Sequence, residues 1–286
     1  MNVLIVGASC LLGKYLERTC PEGVALAKTW YTNPAGGLQA DVGDPSQVGY
    51  VFAKARPDRV IHMAAPGDVD WCERNYTLAE RVIVGGTKAV LREARDCGAK
   101  VLYVSTNAVF SGDDPPYSEG SERRPVNRYG ALRRRAEDVV LNEHGSVVRL
   151  FLLYGWPPPG ARTNWGAEIA RRLSRGERVR LVDDRWWQPT WAGHAAQAVW
   201  RLMEESGVWH FAGADRTTLH GFGQRIAGAF GLDASLLEPI GSEDLPGIAP
   251  RPLDTTFCLD KARVIMPVPG LDEGLKEIRD EDLRTD

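Results

Sequence analysis

The first residues with the spacing of a chemical site are Gly7-Ala8-Ser9-Cys10-Leu11-Leu12-Gly13. They follow the apolar run Val3-Leu4-Ile5-Val6 directly and lead into Lys14, Tyr15 and Leu16, so they read as a tight turn from a strand into a helix. Glycines in such a turn let backbone amides approach a diphosphate, and the helix N-terminus adds partial positive charge. The chemistry implied is dinucleotide binding by Gly7, Ser9, Cys10, Leu11, Leu12 and Gly13, although a ligand-free βα turn can also use glycines. The end of the next apolar run carries Ala27, Lys28, Thr29, Trp30, Tyr31 and Thr32, with no carboxylate among them. A carboxylate there would bind a ribose 2′-hydroxyl and select NAD. Its absence beside Lys28 and Thr29 admits a 2′-phosphate, which favours NADP(H) over NAD(H). A Lys28 that simply reaches for solvent is the competing reading.

A second cluster lies far along the chain. Asp183-Asp184-Arg185-Trp186-Trp187-Gln188-Pro189-Thr190-Trp191 offers three flat apolar rings for a base or sugar, with Arg185 and Gln188 to orient polar groups. Packing into a local core would use the same tryptophans. The five histidines show no metal-ligand spacing, and His62 and His210 fall inside strand-like runs. The five cysteines (Cys10, Cys20, Cys72, Cys97, Cys258) form neither a CxxC pair nor a disulfide framework, so no metal is expected and a reducing compartment fits.

These groups need a scaffold, and the chain supplies an alternating one. Val3–Val6, Val24–Trp30, Arg59–Met63, Lys100–Ser105 and Ser146–Leu152 read as strands, separated by helical patterns, of which Cys72–Cys97 is the clearest. This βαβα order predicts a doubly wound parallel sheet covered on both faces, an α/β Rossmann fold. Trp156-Pro157-Pro158-Pro159-Gly160 can continue neither a helix nor a central strand. The expected organisation is therefore a dinucleotide-binding domain over 1–155 and a smaller α/β substrate-binding region over 156–286, partly interleaved with the first. With 286 residues, 43% hydrophobic and 26% charged, the composition is that of a globular protein. A net charge of −3 gives no general attraction to nucleic acid or anionic lipid. The Arg133-Arg134-Arg135 run is followed by Glu137 and Asp138 and reads as a solvated helix face. No apolar run is long enough to span a bilayer, and no leader-like segment precedes the first strand, so a cytoplasmic protein is expected.

Over nearly its whole length the sequence resembles the extended short-chain dehydrogenase/reductase family, and within it the dTDP-4-dehydrorhamnose reductase group. The resemblance is carried by the glycine turn, by Ala40-Asp41-Val42, by His62-Met63-Ala64-Ala65-Pro66, by Asp68-Val69-Asp70-Trp71-Cys72-Glu73, and by Thr106 with Tyr129. It implies that Asp41 and Val42 contact the adenine and that Ala64, Ala65 and Pro66 pass the cofactor ribose. It also implies that Asp68, Asn107, Trp186, Trp187 and Arg251 face the substrate, Arg251-Pro252 near a diphosphate. Arginine suits bidentate phosphate recognition, with a surface ion pair as the ordinary alternative.

The same resemblance assigns catalysis to Thr106, Tyr129 and Arg133. Hydride attack on a carbonyl leaves an alkoxide that must be protonated; a phenol, ordinarily titrating near 10, needs positive charge beside it to serve near neutrality. Thr106 is the implied partner of the substrate oxygen. Family members place a lysine four residues after the tyrosine; here Arg133 keeps the charge but cannot release a proton. Cys10 replaces an expected glycine, and Ile83 an asparagine that orders the site.

Two functions follow. The first is an NAD(P)H-dependent reductase of a keto group on a nucleotide-linked deoxysugar or similar small metabolite. The second is a cofactor-binding, non-catalytic homologue, as in the regulatory β subunit of methionine adenosyltransferase. A dehydratase or epimerase is disfavoured, because Asn107-Ala108 follow Thr106 where dehydratases carry an Asp-Glu pair. A homodimer is left open.

Overall fold

The structure is a computed structural model, and it describes residues 1–34, 36–244 and 247–282. The first half runs β1 (Asn2–Val6), α1 (Leu11–Arg18), β2 (Ala25–Trp30), β3 (Leu38–Gln39), α2 (Pro45–Ala55), β4 (Arg59–His62), α3 (Val69–Arg74) and α4 (Tyr76–Glu80). A π-helical segment (Arg81–Gly85) then leads into α5 (Gly86–Cys97), β5 (Lys100–Thr106), a 3-10 turn (Asn107–Val109), α6 (Arg128–Asn142) and β6 (Ser146–Leu150). The second half runs β7 (Leu153–Tyr154), α7 (Trp165–Ser174), β8 (Val179–Val182), β9 (Trp186–Trp187), β10 (Thr190–Trp191), α8 (Ala192–Leu202) and β11 (Val208–Phe211). It closes with β12 (Thr217–Thr218), α9 (Leu219–Phe230), β13 (Leu237–Ile240), α10 (Asp260–Ile265) and α11 (Leu271–Asp282).

Seven parallel strands form the central sheet in the order β11-β6-β5-β4-β1-β2-β3. Both faces are buried, and the alternation along each strand assigns its side chains. Val3 and Ile5 of β1 join a core with α1, α7, α8 and α9, whereas Leu4 and Val6 join the opposite core with α2, α5 and α6. The chain after residue 155 returns to this sheet: β11 adds its edge strand beside β6, and α8 packs on α1. The remaining pairs, β7 with β10, β8 with β13 and β9 with β12, build a smaller layer beside it.

The helical pattern over Cys72–Cys97 is interrupted in the structure. Asn75, with φ −120° and ψ 48°, separates α3 from α4. The π-helical turn then lets Gly86 approach Val42 so closely that a Cβ would lie 2.9 Å from its Cγ2. Among the described residues no helix is long and apolar enough to cross a membrane.

Candidate active site

Strand order reverses direction of growth at β1, with β2 on one side and β4 on the other. The crevice beyond the carboxyl ends of such strands is where doubly wound sheets bind ligands. A cavity of about 410 Å³ opens there, walled by the turn after β1, by Trp30 to Thr32 after β2, by α2, and by Met63 to Pro66 after β4.

Gly7, at φ +93°, packs so tightly that a Cβ would fall 2.7 Å from the Ala64 Cα. Its amide donates to Thr29 Oγ1 at 3.0 Å, and the Ala8 amide donates to the Thr29 carbonyl at 2.7 Å, so buried Thr29 fixes the turn. Gly13 lets α1 close on the Ala8 carbonyl. Leu11 and Leu12 bury their side chains in the core and, like Gly13, are not among the residues that line the cavity. Cys10 sits at the start of α1 in an extended conformation (φ −116°) open to any residue, with its thiol exposed on the cavity wall. The glycine expected there is therefore not required by the backbone.

The cavity gathers Gly7, Ser9, Cys10, Thr29, Asp41, Val42, Ala64, Ala65 and Pro66. Asp41 accepts from the Gly43 amide at 2.8 Å and pairs with Arg81 at 3.0 Å. Lys28 does not join them, because its ammonium lies 2.6 Å from Glu17 Oε1. Trp30, Tyr31, Val48, Val51, Phe52 and Val82 complete an apolar wall that sequence reasoning did not name. The strand-end position of Trp30 and Tyr31 was a usable signal; the α2 residues look like ordinary helix core. These features fit a dinucleotide: a turn that admits no Cβ at Gly7 or Gly13, leading into a helix N-terminus, and an apolar slot for a base.

Thr106 ends β5, and its hydroxyl accepts from the Ala108 amide at 3.2 Å. Asn107 Nδ2 donates to Thr255 Oγ1 at 2.7 Å, tying this turn to the C-terminal segment. Asn127 caps α6 by accepting from the Gly130 amide at 2.8 Å. Gly130 then seats against the Ala108 carbonyl, where a Cβ would be 2.1 Å away, so Tyr129 starts its helix against the turn that follows Thr106. One helical turn on, Arg133 is buried. Its guanidinium donates to the Val104 carbonyl, lies 4.6 Å from the Tyr103 ring centre and 5.8 Å from that of Tyr129. Ile83 is fully buried in the π-helical turn.

In the predicted substrate-side segments, Asp68 caps α3 through the Trp71 amide at 2.9 Å. Arg251 forms a bidentate pair with Asp70, at 3.1 and 2.9 Å, and the Ile248 and Ala249 amides donate to the same carboxylate. The Arg251 hydrogen bonds, more than any other contact, hold the Asp70 carboxyl far below the usual carboxylate range. Trp191 belongs to the core, edge-on to Tyr15 at 5.7 Å, and Trp187 is half-buried against the core. Trp186 keeps an exposed face, while the Arg216 guanidinium covers its ring at 3.6 Å and pairs with Asp254 at 2.7 Å. Among the described residues no His, Cys, Asp and Glu group is arranged to hold a metal ion.

Comparison with known proteins places this geometry. The family model described as the RmlD substrate binding domain matches residues 1–283. A dTDP-4-keto-6-deoxy-D-glucose reductase of Streptomyces niveus is 29% identical over 273 residues, covering 91% of this chain and 89% of that protein. The methionine adenosyltransferase 2 subunit beta of Xenopus tropicalis is 29% identical over 280 residues, covering 88% of this chain and 78% of that protein. The crystal structure of dTDP-4-dehydrorhamnose reductase from Bacillus anthracis, in complex with NADP, superposes with a TM-score of 0.88 at 26% identity and covers 98% of both chains.

Proposed function

Since the chain belongs to the RmlD substrate binding domain family, we propose that it is an NAD(P)H-dependent reductase of a keto group on a nucleotide-linked deoxysugar. The observation that carries this reading is the seating of Gly130 on the Ala108 carbonyl, which packs the start of the Tyr129 helix against the turn that follows Thr106. Relatives named as dTDP-sugar reductases support it.

A reduced nicotinamide, when bound, supplies hydride to a carbonyl carbon. The chain's own residues do the rest. Gly7, Ser9, Cys10 and the amides of Leu11, Leu12 and Gly13 hold the diphosphate, and Asp41, Val42, Ala64, Ala65 and Pro66 bound the adenosine half. Thr106 Oγ1 donates to the substrate oxygen as charge develops on it, and Tyr129 protonates that oxygen. Arg133 is a fixed cation behind the phenol. It orients the tyrosine and stabilises its anion after transfer, but a guanidinium does not pass a proton onward. Asp68, Asn107, Trp186 and Trp187 line the substrate side, with the exposed face of Trp186 as the ring platform. Arg251, held by Asp70, shapes the loop facing the sugar diphosphate. NADP(H) is the proposed cofactor, supported by the NADP complex of the Bacillus anthracis relative and by the lack of a carboxylate at the end of β2.

The test is oxidation of NADPH, and separately NADH, by the purified protein with dTDP-4-keto-6-deoxysugars. Turnover that Tyr129→Phe abolishes, with NADPH binding retained in a thermal-shift assay, is the expected result. A second reading, a cofactor-binding regulatory subunit, draws on Arg133 and Ile83 and on the likeness to the Xenopus tropicalis subunit. Binding of dinucleotide without turnover of any such ketone would select it.

A further inference from the structure

Asn127, buried two residues before Tyr129, is bonded through both ends of its side-chain amide. Its Oδ1 accepts from the Gly130 amide at 2.8 Å and caps the tyrosine helix, while its Nδ2 donates to the Pro250 carbonyl at 2.9 Å. The partners fix which end is which, since a backbone amide only donates and a carbonyl only accepts. One side chain therefore starts α6 and holds a stretch of chain 123 residues away. The cap alone could be made by Ser, Thr or Asp. An amide is needed because Pro250 also requires a donor.

The stretch it holds, Ile248 to Thr255, has no helix or strand of its own beyond a single bridge between Asp254 and Trp186. Its place is therefore set by hydrogen bonds to other elements. At one end Asp70 of α3 accepts from the Ile248 and Ala249 amides and from Arg251. In the middle the Leu253 carbonyl accepts from the Trp186 amide at 2.8 Å. At the other end Thr255 Oγ1 accepts from Asn107 Nδ2 at 2.7 Å, and Asn107 Oδ1 in turn accepts from the Thr106 hydroxyl at 3.3 Å. The same eight residues thus touch α3, the helix of Tyr129, Trp186 and the neighbour of Thr106, and Asn127 supplies the link to that helix.

We propose that Asn127 is a positioning residue: by holding the Pro250 carbonyl it registers the Ile248 to Thr255 segment against the start of the tyrosine helix. A ketone held by that segment then meets the Tyr129 phenol at a set distance, and small displacements of reacting groups are costly to rate. The catalytic consequence rests on the reductase reading; the anchoring of the segment does not.

Asn127→Asp and Asn127→Ser test both parts, because each keeps an acceptor for the Gly130 amide and removes the donor to Pro250. Hydrogen exchange on the full chain should show the Ile248 and Ala249 amides exchanging about threefold faster or more in both variants, with the Gly130 amide unchanged. Unchanged exchange at Ile248 and Ala249 overturns the anchor. With a dTDP-4-keto-6-deoxysugar, kcat/KM should fall about three- to tenfold in both variants, while the calorimetric affinity for NADPH stays that of the parent. Parent-like kcat/KM, or a loss matched by equally weakened NADPH binding, overturns the positioning role. A loss with aspartate alone reports its added charge and overturns the role as well. Absence of turnover in the parent protein overturns the reductase reading and the catalytic consequence with it, and hydrogen exchange still decides the anchor.

Discussion

Glu137 grips Arg149 through both carboxylate oxygens, at 2.8 to 3.2 Å from the guanidinium nitrogens, with both side chains buried between the tyrosine helix and β6. Ser105, the residue before Thr106, and Arg123 donate to the same carboxylate. One buried anion thus ties α6, β5 and β6 together a single turn beyond Arg133. Removing it leaves Arg149 charged, dry and without its carboxylate. Glu137→Ala should cost about 3–5 kcal/mol of stability, read as a lower urea midpoint at unchanged slope. The double change Glu137→Leu with Arg149→Met should cost less than the single one, because no orphan charge remains. Equal losses would show that packing, not charge pairing, dominates here.

Two buried histidines set an acid limit. Burial first, and then Arg133 for His62 and Arg149 for His210, pull both rings below the ordinary value, His62 to about 3. The folded protein holds them neutral, whereas the unfolded chain protonates them near 6.5. Their contribution is therefore complete above that value and is lost as pH falls toward the folded-state values. The loss is roughly 1.4 kcal/mol per pH unit for each ring. Unfolding free energies at about pH 7.5 and about pH 5 should differ accordingly, before most carboxylates titrate. A flat profile across that window would mean that the rings are hydrated in the native state.

The Gly7 turn predicts a local effect on binding. Gly7→Ala would place a methyl 2.7 Å from the Ala64 Cα on a backbone at φ +93°, so the turn must open. Calorimetric titration with NADPH should show affinity weakened by about tenfold or more, together with a stability loss of about 1 kcal/mol or above. Cys10→Gly should change affinity little, since Cys10 is extended and its thiol only borders the cavity. Strongly tighter binding by that variant would instead show that the thiol crowds the diphosphate.

Much of this was legible in the chain because local patterns agreed with the final fold. The run Val3–Val6 alternates between two cores, and the glycine turn after it leaves no other conformation for residue 7. Tyr129 and Arg133 are four apart and so share a helix face. What could not be read was set by distant partners. Lys28 looked free to meet a phosphate until Glu17 appeared beside it, and Arg251 until Asp70 did, 181 residues away. The break at Asn75 and the π-helical turn leave the apolar period almost unchanged, and the close approach of Gly86 to Val42 that accompanies the turn is a contact between residues 44 apart in sequence.

On the proposed reductase reading activity turns on Arg133, whose geometry separates two roles that a lysine would combine. The guanidinium is anchored to the Val104 carbonyl and stacked on Tyr103, so its charge stands at a fixed place 5.8 Å from the Tyr129 ring centre. Field stabilisation needs only that charge; proton supply needs a group that can give one up. Arg133→Met removes both the field and the anchor, and kcat should fall by about a hundredfold or more, with NADPH still bound. Arg133→Lys keeps a cation and restores a titratable one, at the cost of the Tyr103 stack. If proton supply limits the parent enzyme, kcat for this variant rises; if fixed charge limits it, kcat falls, by about tenfold at most. Steady-state rates on the two variants therefore decide which role the arginine serves, and full activity in Arg133→Met would remove it from the mechanism.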